Sequence, residues 1–529
     1  HLGKILKRLQ DLAQTISDQC SHEIKASPCD PDEVKQALRR WQNSLALTLA
    51  ESILVALPPR LSAAAQKDWQ NEIEHHWQQF TEEFWLNGTP ATMLPNDLRE
   101  LQDIHARLFS HDLAHIPLRF SGLPKEILSQ RGIPARKKLI KANWQAEDMP
   151  RIGDAIKTLA GWFKPKLLNG IPPGLYFATR PFSLNELYLV APQPFSAASQ
   201  PDLRKVICAL RGFEPSEHKM PQWDKHRRML QIPDGEPKAR QTIAVASWET
   251  RDTSFVAAVM NQPDPDSRRR YQRLNRLINE LISRPDRAAY LILPELAMPP
   301  RWFMRIAGKL NGRRISLITG VEYLHITKKR VHNQIWTSFT HDGLGFPSLM
   351  LYRQDKQTPA LHEEQELFRL AGVSLQPAVP WKLPSPPIIQ HGDFRFALLN
   401  CSELTNIRYR TELRGKIDAL FVPEWNSDTE TFNALVESAA LDIHAYIIQC
   451  NNRQYGDSRI RAPYKDRWKR DLLRVKGGNH DYCITGEIDV QALRRFQSSH
   501  RSPDKPFKPV PDGFEIDFSR RILPAGEKE

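Results

Sequence analysis

Three residues whose types could cooperate in nucleophilic chemistry stand at the ends of apolar runs or in a loop between them. In FALLNCSELTN (396–406), Cys401 follows an apolar run and precedes a polar, helix-like stretch. In AAYLILPEL (288–296), Glu295 occupies the same kind of position, one proline beyond a strand-like run. Lys356 lies in LYRQDKQTPALHEE (351–364), which ends in the pair Glu363-Glu364. A cysteine attacks at neutral pH only with a base to take its proton or a cation to stabilise the thiolate. Glu295 suits the base, Lys356 suits a cation beside a developing oxyanion, and Glu364 suits a second carboxylate, with Glu363 as its competitor. The plainer reading is that a cysteine is a small core residue, since cysteines are among the residues most often found buried. The weight therefore rests on the ordered set.

The surrounding pattern supplies elements able to present these groups. From Gln241 onward, strand and helix signals alternate: TIAVASW (242–248), a helical period at Leu274, Leu277 and Leu281, AAYLIL (288–293), RWFMRIAGKL closed by Asn311-Gly312, and RISLITGVEYL. FRFALLN (394–400), DALFVPEW (418–425), a helix over Thr431–His444, AYIIQCN (445–451) and CITGEIDV (483–490) continue the series. Such alternation argues an α/β layered fold, and ligands in such folds collect beyond the carboxyl ends of strands. Both Glu295 and Cys401 fall there.

With these residues in order, the chain from 241 to 495 resembles the nitrilase superfamily of carbon–nitrogen hydrolases. That family carries a Glu-Lys-Cys triad, often with a second glutamate, and the matching positions here are Glu295 in LPELAMP, Lys356 in YRQDKQ and Cys401 in NCSEL, separated by 61 and 45 residues. Glu364 suits the second glutamate. ALDIHAYIIQCNNRQYGDSRIRAPY (440–464) and ITGEIDV (484–490) are further points of similarity. The resemblance implies an αββα sandwich that dimerises, and hydrolysis of an amide, nitrile or carbamoyl C–N bond through a cysteine acyl-enzyme. It implies no cofactor and no metal. Two departures stand out. The family's lysine usually lies two residues after the tyrosine, where this chain has Gln354, whereas Lys356 lies four after Tyr352. Thr405 stands where many members place arginine.

The rest of the chain bounds the reading. At 529 residues it exceeds a single core, with 40% hydrophobic and 26% charged residues and a mean hydropathy of −0.51. No apolar run reaches the roughly 20 residues of a membrane span. Residues 1–165 read as helical, opened by an N-cap signal at Asp30-Pro31-Asp32-Glu33 and carrying an aromatic stripe over Trp69, Ile73, Trp77, Phe80 and Phe84. Residues 166–240 read as a Pro-rich connector with short strands, Glu186–Val190 among them, and 496–529 as a basic, Pro-rich, extended tail. The six scattered cysteines lack a CxxC pair and point to a reducing, cytoplasmic setting. His111 and His115 have metal-like spacing without the glutamate of HExxH.

The net charge of +13 and the run Lys465–Arg470 with Arg474 and Lys476 are compatible with a nucleic-acid partner, although a solvated helix face explains the run as well. The chain begins with His rather than Met and reads as a piece of something longer. A second reading follows: a non-hydrolytic scaffold or sensor domain, as in the bacterial antiviral-defence reverse transcriptases that carry a nitrilase-like C-terminal domain. The chain has no YxDD-like polymerase motif. It also lacks the GxxxxGK[ST] loop expected of a glutaminase-bearing synthetase, a third reading.

Overall fold

The computed structural model describes residues 158 and 162, 184–211, 220–235, 237–327, 329–342, 348–383, 385–499 and 506–522. The helical region expected over 1–165, with His111 and His115, lies outside these but for residues 158 and 162, both helical. The chain divides into two units, and the second, comprising 169–171, 184–204 and 215–529, holds the sheets and the site.

In chain order the described elements are α1 (Leu184–Val190), α2 (Gln200–Arg211), β1 (Gln222–Asp224), β2 (Met229–Ile232), β3 (Arg240–Ser247), α3 (Asp252–Val259), α4 (Ser267–Ser283) and β4 (Tyr290–Ile292). There follow α5 (Pro300–Asn311), β5 (Ser316–Thr327), β6 (Arg330–His341), β7 (Ser348–Asp355), α6 (Leu361–Ala371), β8 (Ser374–Leu375), β9 (Ile388–His391) and β10 (Phe394–Leu398). The series ends with α7 (Ile407–Leu413), β11 (Ala419–Glu424), α8 (Thr429–Asp442), β12 (Tyr446–Asn451), β13 (Ser458–Arg461), β14 (Asp471–Val475), β15 (Tyr482–Asp489) and α9 (Val490–Ser499).

The strands form two sheets, ordered β1-β2-β9-β10-β11-β12-β13-β14 and β15-β3-β4-β5-β6-β7, with β8 beside β6. They pack face to face. The Tyr290 ring of one sheet lies 5.5, 5.7 and 5.9 Å from Phe394, Phe396 and Phe421 of the other. Cys450 donates across the same gap to the Ala246 carbonyl at 3.3 Å. Helices cover the outer faces: α4 turns Leu274, Leu277, Ile278 and Leu281 inward at helical spacing, and α8 does the same with Phe432, Val436, Ala439 and Ala440. The fold is thus mixed α/β with αββα layering. Each sheet holds a parallel trio at its centre, β3-β4-β5 and β10-β11-β12, so Glu295 and Cys401 both leave the carboxyl end of a central parallel strand.

Three expectations require correction. Glu186–Val190 is helical, within α1, which packs on β7 and donates from Asn185 to Ser338 Oγ at 3.1 Å. A short apolar run buried on several sides has no period to separate strand from helix. Residues 222–232 are not a connector, since β2 pairs in parallel with β9 and extends the first sheet. The boundary at 495 also falls inside α9, and the described part of the tail, 506–522, is fixed to the sandwich. Phe507 bridges to Tyr464, Phe514 and Ile516 are buried, and the Arg520 guanidinium pairs with Asp418 at 2.7 Å.

Much of the positive run is neutralised within the fold. Arg470 pairs with Glu437, and Arg474 pairs with Asp457 at 2.6 Å. Trp468 is exposed beneath the Lys469 ammonium. No described helix is long and apolar enough to cross a membrane.

Candidate active site

Glu295 is placed by backbone. Beyond β4, the peptide turns at Pro294-Glu295-Leu296, and Leu296 adopts φ of 53°, a left-handed conformation unusual for leucine. Gly320 of β5 clasps that turn, donating to the Pro294 carbonyl at 3.0 Å and accepting from the Ala297 amide at 3.0 Å. A Cβ at 320 would lie 2.5 Å from the Glu295 Cα, so only glycine permits the approach.

Lys356 follows β7 directly, its amide continuing the ladder to the Asn333 carbonyl at 2.8 Å. Its side chain is 1% exposed, and its ammonium lies 2.9 Å from Glu295 Oε1 and 2.6 Å from Glu363 Oε2. Gln354, the residue at the rival register, donates instead to the Leu398 carbonyl at 2.7 Å.

The second carboxylate is Glu363, and the expectation of Glu364 is corrected. Glu363 is the third residue of α6 and accepts from the Ala360 amide at 3.2 Å, which folds its side chain back over the helix start. Glu364, one position on, points about 100° away around the helix and is exposed.

Two further residues complete the cluster. The Asn333 amide on β6 donates to Glu295 Oε1 and to Glu363 Oε1, each at 2.8 Å. The Tyr323 hydroxyl on β5 donates to Glu363 Oε1 at 2.9 Å. Neither was singled out from sequence. No local signal marked them, because β6 (RVHNQIWTSFTH) carries several polar side chains and Asn333 does not stand out among them.

Cys401 opens a short 3-10 turn, Cys401–Thr405, immediately beyond β10, with φ of 49°. It therefore sits on a sharp left-handed bend between strand and helix. Its Sγ faces the Trp425 carbonyl at 3.8 Å. Glu403 braces the bend, accepting from the Asn400 amide and from the Gln357 amide, each at 2.8 Å. Burial lifts its carboxyl to about 7. Thr405 donates to the Ser402 carbonyl at 2.8 Å within the same turn.

The electrostatics separate the two acids. Burial pushes the Glu295 carboxyl up, more than the Lys356 ammonium pulls it down. Burial also acts on Glu363, but Lys356 and the hydrogen bonds from Asn333 and Tyr323 outweigh it and hold this group low. Burial alone would depress Lys356, yet Glu295 and Glu363 overcome it and keep the ammonium charged well above its usual range. Burial and then the Glu295 carboxylate raise the Cys401 thiol, opposed by Lys356. At rest the site therefore holds a neutral thiol, a fixed cation, one ionised carboxylate and one carboxylate with raised proton affinity. A pair of acids separated in this way divides the work of base and anchor.

Among the described residues, no group of three or more His, Cys, Asp or Glu is placed to hold a metal ion. Cys450 and Cys483 are also buried thiols raised by burial, and Cys450 lies between the sheets.

No family model and no curated protein matches the chain. Among solved structures, the chain is similar to Saccharomyces cerevisiae Nit3, a member of branch 10 of the nitrilase superfamily, at 15% identity over 51% of this chain and 98% of that one, with a TM-score of 0.35. It is similar to an amidase from Nesterenkonia sp. AN1 in complex with butyramide at 14% identity, 49% and 94% coverage, and a TM-score of 0.34. A CN-hydrolase superfamily protein from Xanthomonas campestris, with an arsenic adduct in its active site, aligns at 13% identity, 50% and 95% coverage, and a TM-score of 0.36.

Proposed function

We propose that this chain is a carbon–nitrogen hydrolase acting through a cysteine acyl-enzyme on an amide or related C–N bond. The observation that carries the reading is the Lys356 ammonium held between Glu295 and Glu363 beside the Cys401 turn. Glu295, of raised proton affinity, takes the thiol proton as Sγ attacks the carbonyl carbon. The carbonyl π pair moves to oxygen, and Lys356 stabilises that oxyanion. When the tetrahedral adduct collapses, the C–N bond breaks and the proton on Glu295 passes to the leaving nitrogen, which departs as ammonia or an amine. Glu295 then deprotonates a water that attacks the thioester. The second collapse releases the carboxylic acid and returns the proton to sulfur. Glu363 stays ionised throughout and keeps Lys356 charged and aimed.

The test is peptide mapping after iodoacetamide treatment, combined with ammonia release from a panel of simple amides. Labelling at Cys401 in preference to Cys450 and Cys483, with ammonia release abolished in Cys401→Ala, is the expected result. Equal labelling of the three thiols, or ammonia release that survives the substitution, overturns the proposal.

A further inference from the structure

The mechanism leaves unused a second acid beside the thiol. β10 and β11 are parallel with Leu398 opposite Phe421, and Cys401 and Glu424 each come three residues after that pair, at the carboxyl ends of neighbouring strands. Alternation puts Glu424 on the helix-facing side of its strand with Leu420 and Val422, the side to which Ala397, Leu399 and Cys401 belong. Glu424 is wholly buried, and the thiol and Glu295 both lie within its electrostatic reach. Its Oε2 accepts from Gln449 Nε2 of β12 at 2.8 Å. Its Oε1, and the Oε1 of Gln449, are buried with no hydrogen-bond partner among the described residues. The charged groups near it are Arg459 of β13 and Asp457 just before that strand, and Arg459 is engaged by Asp457 at 2.7 Å and by Asn433 of α8.

Two buried oxygens without a partner carry a desolvation cost, and an entering N–H donor relieves it once the carboxyl ionises. We propose that Glu424 and Gln449 form a subsite for a cationic, N–H-rich end of the substrate, such as a primary ammonium or a guanidinium. This rests on the hydrolase reading for the scissile end, and it makes the substrate class amides carrying a remote cation. Burial lifts the Glu424 carboxyl to about 8, so near neutrality it is mostly protonated, and a bound cation draws it into the ionised form with release of a proton.

The experiment is calorimetry on the full chain carrying Cys401→Ala, with 4-aminobutanamide, 5-aminopentanamide and 6-aminohexanamide set against butanamide, pentanamide and hexanamide. At least one amino amide is expected to bind about 30-fold or more tightly than its neutral counterpart, with release of about one proton at pH 7 seen by varying the buffer. Adding Glu424→Gln is expected to remove the discrimination and the proton release. Gln449→Leu, a second variant should the first fail to fold, is expected to reduce the discrimination severalfold. Equal binding of amino and neutral amides, no binding of any amino amide, or discrimination that survives Glu424→Gln overturns the proposal. Failure of the two readings is distinguishable. If the amino amides bind selectively but the wild-type chain releases no ammonia from them, hydrolysis fails and the subsite stands. If neutral amides are hydrolysed without preference, hydrolysis stands and the subsite fails.

Discussion

Asn400, the residue before the thiol, donates its side-chain amide to Asn333 Oδ1 at 3.0 Å. Through that bond the bend carrying Cys401, in one sheet, is tied to the carboxylate pair of the other, because Asn333 also donates to Glu295 and Glu363.

On the proposed mechanism Asn333 is a positioning residue with a pH signature. Its bond helps hold Glu295 ionised against burial, so its removal raises Glu295 further. A base works only when ionised, so activity falls as pH drops through its pKa. In Asn333→Ala, the acid limb of kcat/KM is expected at higher pH than in wild type, with kcat/KM at its optimum reduced about 10–100-fold. A pH–rate profile of both proteins checks this. An unmoved acid limb would assign Asn333 a packing role only.

Lys356→Met should separate catalysis from stability. Loss of the proposed oxyanion cation is expected to lower kcat by about 10²–10³. Glu295 and Glu363 would be left buried without their counter-ion, costing about 3–5 kcal/mol near pH 8. Unpaired buried carboxylates have raised pKa values, so the variant regains stability as pH falls and they become neutral. Urea unfolding at pH 8 and pH 5 measures the change, with the deficit expected to be smaller at pH 5.

Gly320→Ala tests the backbone clasp. The added methyl meets the Glu295 Cα and the Leu296 amide, so the Glu295 turn must shift. A displacement near 1 Å at the proposed base is expected to cost about 10²-fold in kcat/KM. The far-ultraviolet circular dichroism should persist.

Asp418 anchors the far end of the sandwich. It is fully buried and meets Arg494 at 2.5 Å and Arg520 at 2.7 Å. Burial raises its carboxyl, but the two arginines outweigh this and bring it to about 2. A folded-state pKa depressed below the unfolded value of about 3.9 contributes stability that is present above that value and lost as pH falls toward 2, amounting to about 2–3 kcal/mol. Asp418→Asn is expected to destabilise by about 3–5 kcal/mol at pH 7, since it strands two arginines, and to flatten the stability profile between about pH 4 and pH 2. Denaturant titrations across that range give the comparison.

The positions of Glu295 and Cys401 were legible because a strand's apolar run ends visibly, and both follow such an end. Lys356 was legible only as one of two registers, since a loop residue's direction depends on where β7 stops. The choice between Glu363 and Glu364 turns on the first residue of α6, which fixes which neighbour folds back toward Ala360; a shift of one there exchanges them. Asn333 and Tyr323 belong to long strands whose partners lie far along the chain, and no local pattern joins them to Glu363. Glu424 ends β11 as Glu295 follows β4, each directly after a proline, so the same strand-end signal was present twice. The segment 506–522 looked like an extended tail because its anchors, Tyr464 and Asp418, lie about 40 and 100 residues away in sequence.

That segment has a consequence for synthesis. Asp418 and Arg494 are translated before Arg520, so until residue 520 clears the ribosomal exit tunnel the Asp418 cluster lacks one of its two arginine partners. All fifteen described strands precede it. Closure of this end of the sandwich therefore follows synthesis of all the described strands, and a ribosome stalled within β15 or α9 would hold a nascent chain with an under-compensated charge at the base of its core.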